Sequence, residues 1–368
     1  MSAWRLRLWA IGVIIVAVFP VRFAHANDGP PAPLRVASPG SDVTDYIAYY
    51  IKQLKGDDTD AQSDARQKLI DGSRADVPKS GTLDAAFLDR YATDLNTQLK
   101  SLLSSNAPAN VRARLNAGII VYNVANEGGG TALTDSVILL LGDKSPAIIT
   151  WGVKAAQPIM TALATAQPAL PANTMNNPMQ RMADAVIGVI TADTSSSLVE
   201  DAYLAITAGY PAAPLSRDKP GQHLVLPHVQ DFVAKRIKQY AAGSSSNPEP
   251  DSHGMIFLGG TWANQSPAEQ KITMQRVSDM ITVLGVRQAR LPEADRAPYL
   301  NLLKHMPDAF KNTSVQALVQ PLGNLPNGAA ADVTAKASKA VADAIRSDPT
   351  WGPLQPAPAM ASSDFGRP

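Results

Sequence analysis

The sequence predicts an all-α fold: an irregular α-α superhelix of antiparallel helix pairs, with a loop-rich interruption and a helical C-terminal part. Three observations predict it. Apolar residues recur at helical spacing over long stretches. Prolines cluster where helices would begin. One pattern led by Asp or Asn returns four times along the first half of the chain. With 368 residues, 45% hydrophobic, 18% charged and no cysteine, the composition excludes a disordered, collagen-like or disulfide-stapled chain. The length suits one large or two ordinary domains.

Residues 1–26 read as a secretory signal peptide. Arg5 and Arg7 supply the positive start, Leu8 to Phe19 the apolar stretch, and Ala24-His25-Ala26 a cleavage site before Asn27. Pro20 and Arg22 interrupt the apolar run before the roughly 20 residues that a spanning helix needs. The expected location is therefore periplasmic or secreted, with no stable membrane span once the leader is removed. Losing Arg5, Arg7 and Arg22 takes the basic count from 33 to 30 against 32 acidic residues. A mature chain near −2 has no global basic field to attract nucleic acid. Without cysteine, stability in an oxidising compartment must come from core burial. Residues 27–42, rich in Pro, Gly and small polar residues, read as a flexible linker.

From 43 to 210 helical periodicity dominates. Leu83, Phe87, Tyr91, Leu95 and Leu99 stand at strict i, i+4 spacing, with Asp84, Asp89, Arg90, Asp94 and Lys100 off that stripe. Tyr46, Tyr49 and Tyr50 suit an N-terminal cap helix packing on the next pair, or an exposed aromatic patch. Ser145-Pro146, Asn177-Pro178, Ser266-Pro267 and Ala297-Pro298 place proline at first helical positions, where its missing N–H had no partner. Residues 211–265 read as a loop-rich connector. His223-Leu-Val-Leu-Pro227 and Met255-Ile-Phe-Leu258 are its short strand-like runs, and the Gly243–Gly260 stretch is the expected boundary. Residues 266–347 return to helices, including Val277, Met280, Ile281 and Leu284 and a weaker Ala-rich helix around Val341. The proline-rich tail, 348–368, is expected to be disordered.

The repeated pattern is an Asp or Asn, four residues, a position opening a helix, and a small residue twelve after the start. It occurs as Asp60…Ala65-Arg66…Gly72, Asn106…Val111-Arg112…Gly118, Asp143…Ile148-Ile149…Ala155 and Asp193…Leu198-Val199…Ala205. The Asp or Asn closes an inter-helix turn, the apolar residue opens an inward face, and the small residue admits a close neighbour. Over about residues 43–210 the chain resembles the HEAT-repeat family of α-solenoids. Asn106-x4-Val111-Arg112 and Asp60-x4-Ala65-Arg66 are nearest to it, while Ile149 and Val199 replace the basic residue in the other two units. The resemblance implies right-handed stacking of helix pairs around a concave face that often binds proteins.

Familiar catalytic motifs are missing: there is no G-x-S-x-G, H-E-x-x-H or G-x-x-x-x-G-K-[ST]. Gly128-Gly129-Gly130 lacks the strand before it and the lysine after it that a phosphate loop needs, so it reads as a helix-to-helix connection. Asp57-Asp58-Thr59-Asp60 fails as a calcium loop and reads as a turn with helix-start charges. The ligand types for zinc do gather in one stretch: His223, His228, Asp251 and His253. Pro227 and the i, i+5 spacing keep His223 and His228 off one helix face. Asp251-Ser252-His253 holds hydrolase residue types, although adjacency in sequence does not make a triad. Trp151, Tyr203 and Tyr122 suit core or inter-repeat packing.

The sequence thus assigns no catalytic residue, no cofactor and no oligomeric state. The expected function is an exported non-catalytic scaffold that binds another protein in the cell envelope. The alternative is a periplasmic hydrolase or metal-binding protein using residues 211–262.

Overall fold

The computed structural model describes Pro30 and residues 41–74, 85–104, 110–165, 172–209, 222–243 and 247–360. The leader, the linker up to residue 40 apart from Pro30, Asn106 and residues 361–368 lie outside the described residues. Among those described there are fourteen α-helices and no strand, so the fold is all-α. They are α1 (Ser41–Leu54), α2 (Thr59–Ser73), α3 (Ala85–Leu103), α4 (Val111–Val124), α5 (Thr134–Leu141), α6 (Pro146–Thr165) and α7 (Ala172–Val189). Then follow α8 (Ser196–Thr207), α9 (Gln222–Ala241), α10 (Asp251–Gly260), α11 (Pro267–Arg290), α12 (Ala297–Ala309), α13 (Gln316–Gly323) and α14 (Ala331–Ser347). None is long and apolar enough to cross a membrane.

The packing order is regular. Each helix from α1 to α10 packs on the one two places further along, so α1, α3, α5, α7, α9 and α11 follow one another in one row. The even helices α2 to α12 form the second row, and pairs such as α1–α2, α5–α6 and α9–α10 join the two. The apolar stripe read from α3 is the buried face: Phe87, Tyr91, Leu95 and Leu99 are all inaccessible. At the C-terminal end the order inverts, because α13 packs on α12 while α14 lies along α11. The inversion gives α11 cover from α9, α12 and α14, and Val277 to Gly285 is buried apart from Thr282.

Local chemistry sets the helix starts. Asp58 caps α2 by accepting from the N–H groups of Asp60 and Ala61, as the turn reading of the acidic run implies. Asn110 and Ser195 cap α4 and α8. Before α11 the Ser266 hydroxyl accepts from the Glu269 N–H while the Glu269 carboxylate accepts from the Ser266 N–H, with Pro267 at the first position. Ser266→Ala should lower stability by about 1 kcal/mol, readable as a shift in the urea midpoint. The glycine run does connect helices: a π-type turn, Ala125–Gly129, leaves α4 with Gly128 at φ 109°, a left-handed conformation that favours glycine.

The repeated units fall on the even helices α2, α4, α6 and α8, which pack in succession, but not in one register: Asp60 and Ala65 stand at the second and seventh positions of α2, whereas Ile148 and Leu198 stand in the first turns of α6 and α8. Two of the small residues sit at close approaches, and the other two, Ala155 and Ala205, are fully buried. A Cβ on Gly72 would meet Tyr46 Cε1 at 2.7 Å, and one on Gly118 would meet Trp151 Cβ at 2.8 Å. Val111 departs from its expected inward role: at the helix start it is 54% exposed, and Ala113 takes the buried position.

Several expectations are corrected. Both strand-like runs in the region read as a loop-rich connector are helical, in α9 and α10. Val225, Val229, Phe232, Val233 and Ile237 continue one buried stripe through α9, and short apolar runs do not reveal their period alone. Asn177-Pro178 does not open α7, which starts at Ala172 and carries Pro178 inside. The tail expected to be disordered is packed from Asp348 to Met360: Trp351 is buried, and Leu354 and Met360 lie against the core.

Candidate functional site

Of the four residues singled out as zinc ligands, three are drawn to different places. His223 lies in α9, with its side chain outside the described residues. His228 Nδ1 stands 3.3 Å from Asp184 Oδ1, linking α9 to α7 within the odd row. His253 Nε2 stands 3.4 Å from Glu200 Oε1, linking α10 to α8 within the even row. Asp251 points inward and is fully buried. Among the described residues no three His, Asp or Glu side chains gather as a metal site. Asp251 and His253 are two apart on α10, and side chains two apart on a helix do not share a face. That separation also removes the triad arrangement.

The concentrated polar chemistry lies instead around Asp251, where α8, α9 and α10 meet. Tyr203 of α8 donates to Asp251 Oδ1 at 2.7 Å. Arg236 of α9 donates from Nε to both carboxylate oxygens, at 3.1 and 3.3 Å. Tyr240, one turn along α9, donates to Asp251 Oδ2 and accepts from Arg236 Nη2. The remaining guanidinium donors reach Gln239 Oε1 at 2.9 Å and the Asn247 carbonyl at 3.1 Å. Arg287 of α11 extends the cluster, donating to the Tyr299 hydroxyl of α12 at 2.8 Å and to the carbonyls of Tyr240 and Gly243 at 3.0 and 2.9 Å.

Tyr203, Arg236, Tyr240, Asp251 and Tyr299 are all at most 1% exposed, so the electrostatics are those of a dry interior. Burial, reinforced by the Asp251 charge, pushes the Tyr203 and Tyr240 phenols well above their ordinary titration range. Burial works against the charge on Arg236, but the Asp251 carboxylate and the neighbouring phenols outweigh it and hold the guanidinium charged. Both carboxylate oxygens accept two hydrogen bonds each. The chemistry is therefore that of a clamp fastening five helices across both rows.

Arg236 and Tyr240 were not singled out from the sequence, yet a signal was there. Val229, Phe232, Arg236 and Tyr240 continue one helical stripe, and a charge on an apolar stripe calls for a buried partner.

Between successive even helices there is a polar rung. Arg66 donates to Asn116 Oδ1 at 3.0 Å, Arg114 meets Asp143 at 2.7 Å, Lys154 lies 4.0 Å from Asp201, and Glu200 pairs with His253. Asp143 also accepts from the Ser145 N–H at 2.8 Å, closing the turn before α6 as the repeated unit implies. The basic residue reaching it is Arg114; Arg112 is exposed. Beside these rungs the half-buried Tyr122 and Trp151 rings stand 5.5 Å apart across α4 and α6, with Lys154 Nζ 5.8 Å from the Trp151 ring. Tyr203, by contrast, is core, and Tyr46 and Tyr50 are buried within the first helix pair. Compared with known proteins, the chain matches no family model, no curated protein and no solved structure.

Proposed function

We propose that the chain is an exported, non-catalytic helical-repeat scaffold that binds another protein in the cell envelope. The observation carrying this reading is the packing of each helix on the one two places away, with the four repeated units on successive even helices. Such stacking has the contact pattern of an α-α superhelix of the HEAT-like kind. In such a stack each unit contacts only its neighbours, so an extended surface grows along it. The even row offers the Tyr122–Trp151 pair with Lys154, residue types enriched where proteins bind one another or able to add a rim charge. The leader-like pattern of residues 1–26 supports reading that surface as exported.

The test is cross-linking capture from intact cells with a tag after Pro368, followed by capture with Trp151→Ala and Tyr122→Ala together. One stoichiometric partner, lost in the double variant, is the expected result. Recovery of no protein above background, with stoichiometric metal in the purified mature chain, would overturn the scaffold reading in favour of metal chemistry.

A further inference from the structure

Past α14 the chain reverses and lies back on α11. Asp348 Oδ1 accepts from the Thr350 N–H at 2.8 Å, the Trp351 N–H donates to the Asp348 carbonyl, and the Gly352 N–H donates to the Pro349 carbonyl. Gly352 has φ 64°, which lets the chain leave this turn in its new direction. The turn delivers Trp351 edge-on to Trp262, with ring centroids 5.2 Å apart, and Trp262 in turn meets Phe310 at 6.4 Å. Four residues on, Gln275 of α11 grips the main chain of Gln355. Its Oε1 accepts from the Gln355 N–H at 2.7 Å and its Nε2 donates to the Gln355 carbonyl at 3.0 Å. Pro353, Pro356 and Pro358 restrict φ along the segment and favour an extended chain.

These contacts are of two kinds. One aromatic side chain fills an aromatic seat, and one side-chain amide pairs with both backbone groups of a single residue. The second contact reads main chain and is indifferent to which residue carries it. Together they are the elements by which proteins take up extended, proline-spaced peptides. The occupant does not complete the seat: the Trp351 indole Nε1 is buried without an acceptor. A buried donor left unpaired forfeits its hydration, so the tail is held more loosely than the surface allows.

We propose that Trp262, Phe310 and Gln275 form a recognition groove for proline-spaced peptide segments with an aromatic anchor, and that residues 348–360 occupy it in cis as a displaceable strap. The proposal rests on the scaffold reading and locates one of its binding surfaces. A partner segment of this chemistry would enter as the strap leaves, so its apparent affinity carries the cost of that displacement.

The probe is a fluorescently labelled peptide of residues 348–360, titrated against the full-length chain. Trp351→Ala in the full-length chain loosens the strap, and the labelled peptide should bind that variant at least about tenfold tighter than wild type. Adding Gln275→Ala should weaken binding about tenfold, and a peptide with Trp351→Ala should not bind, whereas one with Trp351→Phe should. Absence of binding to a Trp351→Ala chain of unchanged helicity would overturn the proposal. Should that variant not fold, hydrogen exchange in the wild-type chain decides. A displaceable strap releases the Gln355 amide by local opening while the α11 amides stay protected. Exchange of Gln355 only with global unfolding would overturn it. Failure of the peptide titration leaves the cell-capture result standing, and failure of capture leaves the titration standing.

Discussion

Asp251→Ala is expected to destabilise the chain by about 3–5 kcal/mol, because it leaves Arg236 charged, dry and without its counter-ion. The loss also orphans the Tyr203 hydroxyl and leaves the Tyr240 hydroxyl with only its longer bond to the Asn247 carbonyl, at 3.3 Å, as an acceptor. Against a typical total of about 5–15 kcal/mol, that is enough to leave part of the population unfolded. Urea denaturation followed by circular dichroism measures it. The mechanism is separated from mere crowding by the double variant Arg236→Met with Asp251→Leu. Replacing both partners with apolar groups should cost far less than the two single losses added together. A midpoint for Asp251→Ala within about 1 kcal/mol of wild type would show that water reaches the clamp.

The same clamp sets a pH dependence. Tyr203 and Tyr240 have folded pKa values raised by burial, so their contribution is fully present below the ordinary phenol value near 10 and is lost as pH rises through the raised values. Stability should therefore fall in alkali beyond pH 10, and less steeply in Tyr203→Phe. An alkaline series of urea midpoints checks this.

How far these features can be read from sequence depends on the range of the interaction that makes them. The α3 stripe, the Ser266–Glu269 cap and the turn glycines are local, and each is visible within one or two turns of chain. Of the repeated pattern, the small residues at Gly72 and Gly118 are the part that the packing gives a physical reason for, since each admits a close neighbour, Tyr46 and Trp151 respectively. The α9 and α10 helices were hidden because proline and glycine are strong local breaking signals that tertiary burial nonetheless overrides here. Pro227 is exposed on α9, while Val225 and Val229 beside it hold the helix to the core.

Asp251 illustrates a different failure. Its type and its neighbours suggested a ligand, yet its partners come from 15 and 48 residues away. No spacing rule joins Tyr203, Arg236 and Asp251; only the meeting of α8, α9 and α10 does. The strap is harder still to foresee, since Gln275 and Gln355 are 80 residues apart. Its proline content suppresses regular structure without preventing it from being held by an outside surface.

Gly259→Ala should be as damaging as loss of the clamp, for a purely steric reason. A Cβ at Gly259 would stand 1.9 Å from the carbonyl oxygen of Ala309, 2.7 Å from its carbon and 3.2 Å from Phe310 Cα. The obstacle is backbone, which has no rotamer to change, so α10 and the end of α12 would have to part. Overpacking of side chains costs about 1–3 kcal/mol, and a backbone clash belongs at or above the top of that range. The next residue supplies the control. A Cβ at Gly260 meets nothing within 4 Å, so Gly260→Ala should be neutral or stabilising by up to about 1 kcal/mol through helix propensity. Both positions lie in α10, and their difference isolates the helix crossing. Because Phe310 follows Ala309 and backs the Trp262–Trp351 contact, Gly259→Ala should also release the Gln355 amide to exchange, while Gly260→Ala leaves it protected. Equal stability in the two variants would mean that α10 and α12 cross further apart than their closest atoms now place them.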